Sequence, residues 1–192
     1  MTKIAVIIGS IRQGRVSANL AKWVAAEVAK VADTEIVDLR DYPLPFFDEA
    51  MSPRFNPNRT PTPEVKKWLD KIAEFDGYVI VTPEYNRSIP GVLKNALDTL
   101  GHETTNKPVA IASHGSVGGA QANASLRITL PGNGIVVIPN AVFFTDKVGE
   151  TIDEEGVLQA ELREGPMSPQ ARLEDLATGI VAYADALKAM RG

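Results

Sequence analysis

The residues of this chain that could do chemistry lie in three short loops, and the first is Gly9-Ser10-Ile11-Arg12-Gln13-Gly14-Arg15-Val16-Ser17. Ser10 and Ser17 offer hydroxyl donors. Arg12 and Arg15 offer fixed positive charge in a planar fork that matches phosphate oxygens. The loop separates an apolar run from an amphipathic stretch. At such a strand-to-helix junction, free amides and the helix dipole also favour an anion. Gly9 and Gly14 have the spacing of the nucleoside-triphosphate loop G-x-x-x-x-G-K-[ST]. Arg15 then stands where Lys is required, and Val16 stands where a hydroxyl should hold Mg²⁺. The dinucleotide pattern G-x-G-x-x-G fails at Ile11, which occupies the second glycine's place. One phosphate held by hydroxyls and arginines fits the loop better, although a polar turn with two solvated arginines would use the same residues.

The second loop, Thr82-Pro83-Glu84-Tyr85-Asn86-Arg87-Ser88-Ile89-Pro90-Gly91, follows another apolar run. Tyr85 could cover an aromatic ligand, and the amides near Glu84 to Asn86 could meet its polar edge. A proline-bracketed turn with an Asn cap explains the same residues. The third loop is Ser113-His114-Gly115-Ser116-Val117-Gly118-Gly119. Its glycines allow backbone to approach a flat ligand closely. His114 has no Asp or Ser partner at a spacing that suggests a hydrolase triad. A structural role for it is the simpler expectation.

The elements that must position these loops follow from periodicity. Continuous apolar runs at 4–8, 78–81 and 109–112 read as buried strands, 35–39 reads as a second strand, and 135–144 holds a fifth. Helical spacing over 17–32 (Leu20, Trp23, Val24, Val28, Val31) predicts the first helix. Further helices are expected from Pro63 with Thr62 as N-cap, then over 90–100, 119–130 and 170–190. The last should bury Leu173, Leu176, Ile180, Tyr183 and Leu187. Between them, 40–63 holds six prolines and should be irregular, with Tyr42, Phe46 and Phe47 arguing that part of it packs. The acidic stretch 149–165 reads as a surface excursion. Strand and helix alternate, so the expected fold class is α/β: a three-layer sandwich with a five-stranded parallel sheet and helices on both faces, spanning 1–192 as one domain. Ligands of such sheets sit outside the carboxyl ends of the strands at the topological switch point. A ligand with one phosphate at that point directs attention to FMN.

Bulk composition narrows the alternatives. The 192 residues are 44% hydrophobic and 23% charged, an ordinary globular balance. Cysteine is absent, which removes thiol nucleophiles, disulfides and Cys-ligated metal together. Only two histidines remain for any metal. The net charge of -4 counts against a nucleic-acid partner. No apolar run approaches the ~20 residues of a membrane span, and no signal-peptide pattern opens the chain. The expectation is a cytoplasmic protein.

The three loops together resemble the NAD(P)H-dependent FMN reductase family of flavodoxin-like proteins, which includes azoreductases, quinone reductases and chromate reductases. The matching residues are Gly9 to Arg15, the block Pro83-Glu84-Tyr85-Asn86 running through Ser88-Ile89-Pro90-Gly91 to Lys94-Asn95-Ala96-Leu97-Asp98, Ser113 to Gly119, and Asp38-Leu39 with Tyr42-Pro43-Leu44-Pro45. The resemblance implies that Ser10, Arg12 and Ser17 hold the FMN phosphate, with Arg15 as a further candidate. Pro83, Glu84, Tyr85 and Asn86 would line the isoalloxazine, and His114, Gly115, Ser116 and Gly119 its other edge. NADPH or NADH would donate hydride, and a flavin, quinone, azo compound or similar small-molecule electron acceptor would receive it. No catalytic side chain is named and no metal is expected. The resemblance also implies a homodimer or homotetramer. The chain departs from the family at Thr99, where Trp is frequent, and at Gln121, where Arg is frequent. Two other readings compete: an FMN-binding electron carrier for protein partners, and a phosphate-ester enzyme built on the first loop alone.

Overall fold

A computed structural model of the chain describes residues 1–56, 58–144 and 147–191, so Pro57 of the proline-rich stretch lies outside the described residues. Five strands form one parallel sheet: β1 (Lys3–Ile8), β2 (Asp33–Asp38), β3 (Gly77–Pro83), β4 (Pro108–His114) and β5 (Val136–Phe144). Their order across the sheet is β2-β1-β3-β4-β5. The chain therefore moves outward from β1 to β2, then crosses back over β1 to β3. That reversal between β1 and β3 is the switch point at which a crevice opens.

The helices are α1 (Ser17–Val28), α2 (Pro63–Ala73), α3 (Gly91–Asp98), α4 (Ala120–Thr129), α5 (Val148–Thr151) and α6 (Pro169–Lys188). Right-handed crossovers in opposite directions put them on opposite faces. Ile4, Val6 and Ile8 of β1 pack with Leu20, Trp23 and Val24 of α1 and with Leu173, Leu176 and Ile180 of α6. Ala5 and Ile7 face the other way, toward Trp68 and Ile72 of α2, Leu93 and Leu97 of α3, and Leu126 of α4. The two-residue period of the strands thus builds two cores from one apolar run. Trp68 illustrates the fit of the second core. Its indole N–H donates to the carbonyl of Ala96 at 3.2 Å, and its ring meets Tyr42 edge-on at 5.3 Å.

Element ends follow capping chemistry. Pro63 opens α2 behind the Thr62 hydroxyl, which accepts from Val65 N. Ser168 does the same for α6, accepting from Ala171 N at 3.1 Å. Pro139 sits in β5, an edge strand whose pairing with β4 shifts register between Val109 and Ile111. An edge strand tolerates a residue without an amide donor.

Three expectations are corrected and a fourth is refined. The first helix ends at Val28 rather than at 32, and Val31 is exposed. Tyr183 is exposed on α6, and Leu187 is absent from that helix's buried set. Phe46 points outward at 87% exposure, while Tyr42 and Phe47 are half-buried. The acidic stretch 149–165 does run over the surface, with most of its residues exposed, but it is anchored in the core at two points. Its Ile152 and Leu158 are buried against α1, and a short bridge joins them. Charge on the outward positions had masked two apolar anchors.

The proline-rich stretch is irregular, as its composition requires, yet it is strapped down by hydrogen bonds. Asn95 of α3 accepts from Phe47 N at 2.9 Å and donates to the carbonyl of Pro45 at 2.8 Å. Arg59 donates to the carbonyl of Thr99 at 2.7 Å, and Arg54 to that of Asn133 at 2.7 Å.

Candidate functional site

Parallel pairing brings the carboxyl ends of β1, β3 and β4 side by side, with Ile8 opposite Val81 and Pro83 opposite His114. The three loops therefore start from adjacent points. Gly9 fits there because a Cβ would lie 2.8 Å from Leu93 and 3.1 Å from the carbonyl of Val81.

Side chains then join the loops in pairs. Ser10 Oγ lies 2.9 Å from the Tyr85 hydroxyl. Ser17 Oγ lies 2.8 Å from His114 Nε2. Glu84 accepts from the amides of Gln121 at 2.9 Å and Ala122 at 3.4 Å, closing the N-terminus of α4. The first loop is thus tied to the second and to the third, and the second to the helix that follows the third. Burial pushes the His114 ring down to about 4, so it is neutral at ordinary pH.

The first loop is shaped by arginines on the outer side of the sheet. Arg40 donates to the carbonyls of Arg12 at 2.6 Å and Ile11 at 3.3 Å, and Arg15 donates to that of Ser10. Three successive carbonyls are therefore claimed from that side. Helix α1 begins without a side-chain cap at Val16. Its first-turn amides have no partner within the helix, as every helix requires. Beside them stand the buried hydroxyls of Ser10 and Ser17 and the exposed guanidinium of Arg12, which makes no ion pair among the described residues. This donor set suits one dianionic phosphate.

Arg15 is the one expected phosphate residue whose surroundings argue otherwise. Both terminal nitrogens of its guanidinium meet the Asp38 carboxylate, and the side chain is 6% exposed. Asp38 ends β2 directly opposite Ile8, so sheet register delivers the carboxylate to the loop. Burial works to raise the Asp38 pKa. Hydrogen bonds from Arg15 and from Arg40 N outweigh it and hold the carboxyl below its ordinary value. The motif reading includes Asp38 without giving it a role, and it misses Arg40 altogether. The signal that could have found them is adjacency of β1 and β2, which puts an acid at the end of β2 within reach of an arginine in the β1 loop.

The second loop folds back on itself. Tyr85 and Ser88 exchange both backbone hydrogen bonds, at 2.9 and 3.0 Å. Between them Asn86 and Arg87 take φ of 49° and 66°. This is a type I′ turn built without glycine, which Asn accepts readily and Arg at a cost. The third loop closes against Phe144, whose carbonyl accepts from Gly115 N at 3.1 Å. Gly119 ends it at φ 72° and precedes α4. Ser116 and Val117 are exposed at its tip.

Glu84 carries a prediction of its own. Glu84→Ala removes a charged cap from α4 and is expected to lower stability by about 1–2 kcal/mol. Glu84→Gln, which keeps an acceptor oxygen without the charge, should recover part of that. Urea midpoints at constant slope measure both. Equal stability of the alanine variant and the parent would refute the cap.

Beside Ile11 a cavity of about 300 Å³ opens between the proline-rich stretch and α3, lined by Arg40, Tyr42, Leu44, Phe46, Val92 and Asn95 among others. Among the described residues no cluster of His, Asp or Glu is arranged to hold a metal, and no helix is long and apolar enough to cross a membrane.

Comparison with known proteins agrees with this geometry. The family model for NADPH-dependent FMN reductases matches residues 2–150. An NAD(P)H-dependent FMN reductase of Schizosaccharomyces pombe is 40% identical over 169 residues, covering 77% of this chain and 84% of that protein. A 2-hydroxy-1,4-benzoquinone reductase of a Burkholderia species is 34% identical over 167 residues, covering 83% and 86%. Among solved structures, the flavoenzyme NAD(P)H:(acceptor) oxidoreductase FerB of Paracoccus denitrificans shares the fold, with a TM-score of 0.74 at 24% identity over 97% of this chain and 98% of that one. A flavodoxin-like sheet with a one-phosphate donor set at its switch point, together with these matches, places the chain in the NADPH-dependent FMN reductase family.

Proposed function

We propose that this chain takes hydride from NADPH or NADH and delivers it to a quinone or similar small planar acceptor, using FMN held at the carboxyl ends of β1, β3 and β4. The observation that carries this reading is the convergence of three loops on one crevice, tied by the Ser10–Tyr85 and Ser17–His114 contacts. FMN, when bound, supplies the ring that accepts and returns the hydride, and the protein supplies binding and orientation. Ser10, Arg12, Ser17 and the first-turn amides of α1 bind the phosphate. The main chain of Pro83, Glu84, Tyr85 and Asn86 meets the polar edge of the isoalloxazine. His114, Gly115, Ser116 and Gly119 line the other edge, where small residues keep the backbone close. Arg15 acts on the loop through Asp38 rather than on the phosphate. Donor and acceptor then use one open site in turn, giving ping-pong kinetics. The cavity beside Ile11, with Tyr42 and Phe46 on its walls, has the size and character of an aromatic acceptor's subsite.

The chain folds as one domain over 1–192 in this reading, and it works in the cytoplasm, where reduced nicotinamides are available. Phe46, Met51 and Phe55 stand exposed on the proline-rich stretch at 87, 52 and 78%. Apolar exposure of that kind favours a homodimer or homotetramer, in which a second copy covers it.

The test is the visible spectrum of the FMN-saturated, desalted protein under anaerobic conditions. Addition of NADPH, or of NADH in a separate sample, is expected to bleach the flavin band, and a benzoquinone should restore it. Retained flavin that neither nucleotide bleaches would instead assign an electron carrier. Failure to bind FMN on titration would sink the reading.

A further inference from the structure

Ser17 opens α1 and is 1% exposed, so its hydroxyl has few partners to choose from. A serine hydroxyl has one proton to donate and two lone pairs to accept with. The Oγ of Ser17 lies 2.8 Å from Nε2 of His114, which ends β4 on the far side of β3. Two arrangements satisfy that distance. In one, the serine donates to a bare Nε2, and its only proton is consumed. It would then present lone pairs alone to an anion, which is repulsive. In the other, Nε2 carries the proton and donates to the serine, whose hydroxyl proton is free to turn outward. A phosphate oxygen only accepts, so a bound phosphate is compatible with the second arrangement alone.

The same logic applies at Ser10, which is fully buried. Its Oγ already accepts from the amide of Arg12 at 3.3 Å and lies 2.9 Å from the Tyr85 hydroxyl. If Tyr85 donates, both lone pairs of the serine are occupied and its proton is left for the ligand. Aromatic side chains from the second and third loops thus each stand behind a serine of the first.

We propose that His114 is a positioning residue for the phosphate site: protonated on Nε2, its neutral ring donates to Ser17 and aims that hydroxyl's proton at the FMN phosphate, as Tyr85 does for Ser10. This rests on the reading that FMN is the ligand and that its phosphate lies at the first loop. Burial favours the neutral ring, and in either charge state it is the Nε2–H that must face Ser17. His114 therefore contributes phosphate recognition from a loop that otherwise faces the ring system. It needs no proton transfer during turnover.

The experiment compares the dissociation constants of FMN and riboflavin, because their ratio isolates the phosphate. Wild-type protein is expected to prefer FMN strongly. Ser17→Ala, which deletes the donor itself, should lose about 10-fold or more of that preference, the usual weight of a hydrogen bond to a charged group, while His114→Leu, which leaves the hydroxyl its proton but removes what aims it, should lose a smaller part, about 3-fold or more; both should hold riboflavin within about 2-fold. His114→Gln places an amide N–H near the lost Nε2–H and should retain most of the preference. Ser17→Ala should lose at least as much as His114→Leu, and the double variant should be no worse than Ser17→Ala, since without the hydroxyl His114 has nothing to aim. Tyr85→Phe should reproduce the effect at Ser10. With only two histidines in the chain, imidazole nitrogen NMR of the FMN complex reads the His114 tautomer directly. Equal binding of FMN and riboflavin by the wild type would remove the phosphate reading and this proposal with it. A wild-type preference that survives in His114→Leu, additive losses in the double variant, or a ring protonated on Nδ1 would overturn the relay and leave the flavin reading standing. Should His114→Leu not fold, the glutamine variant, Ser17→Ala and the NMR tautomer decide the matter.

Discussion

Replacing Gly119 with alanine is expected to abolish retention of FMN through desalting and to lower folding stability by about 2–5 kcal/mol. Two independent effects add at this position. Its φ of 72° lies in the left-handed region, where an L side chain costs about 1–2 kcal/mol. A Cβ would also stand 2.7 Å from the amide nitrogen of His114, 2.7 Å from Ser113 Cβ and 3.0 Å from the carbonyl of His114. Those atoms belong to the last residues of β4, which is paired with β3 on one side and β5 on the other, so they cannot yield cheaply. Overpacking of a well-filled site typically adds about 1–3 kcal/mol. The strain falls directly on His114, the residue that stands behind Ser17, so flavin affinity should suffer beyond the global destabilisation. Gly14→Ala is the control. Gly14 has a similar φ of 66°, but nothing lies within 4 Å of its would-be Cβ. It should show the backbone penalty of about 1–2 kcal/mol alone. Urea denaturation and flavin absorbance after desalting check both variants. A Gly119→Ala protein that matches Gly14→Ala in stability and keeps its flavin would refute the packing argument.

The architecture was legible because most strands are short apolar runs bounded by turn residues, β2 being the polar exception, and the helices carry apolar stripes at helical spacing, shorter in α1 and α6 than expected. Ile4 to Ile8 could be placed without reference to anything else in the chain. The first and third loops were legible as ligand loops because glycines and hydroxyls coincide at strand-to-helix junctions. Less could be read where a residue's role depends on a partner distant in sequence. Asp38 looks like the unremarkable end of a strand until β2 is placed beside β1. Glu84 enters only as a residue lining the ligand, whereas its carboxylate caps α4 through residues thirty-seven and thirty-eight positions away. Ser17 and His114 are separated by ninety-seven positions, and each alone looks ordinary. Ile152 and Leu158 sit among glutamates and aspartates, and the local composition hides their anchoring in the core. Local pattern therefore revealed elements, while pairing across the sheet decided what the polar side chains do.

Asp38→Ala is expected to lower stability at neutral pH by about 3 kcal/mol and to weaken FMN binding as a consequence. The substitution strands Arg15, whose side chain is 6% exposed and whose Nε already lacks a hydrogen-bond partner. Breaking a buried pair by removing one member usually costs about 3–5 kcal/mol, and the 22% exposure of Asp38 puts this case at the lower end. The pH dependence has a definite sign. The folded carboxyl titrates below the ordinary 3.8, so the unfolded chain takes up its proton first as the solution is acidified. The pair's contribution is therefore complete above about pH 4 and is lost as pH falls through the lower folded value. The stability gap between wild type and Asp38→Ala should be flat from pH 7 to about 5 and narrow below 4. Arg15 provides the decisive comparison. As a member of the pair, Arg15→Ala should lose stability on the same scale as Asp38→Ala, while Arg15→Met combined with Asp38→Leu, apolar and of similar volume, should recover much of it. A direct phosphate ligand behaves differently: Arg15→Ala would weaken FMN while leaving riboflavin affinity and urea stability at wild-type levels. The hydrogen bonds to Asp38 and to the carbonyl of Ser10 already engage both ends of the fork, so stability and flavin affinity are expected to fall together.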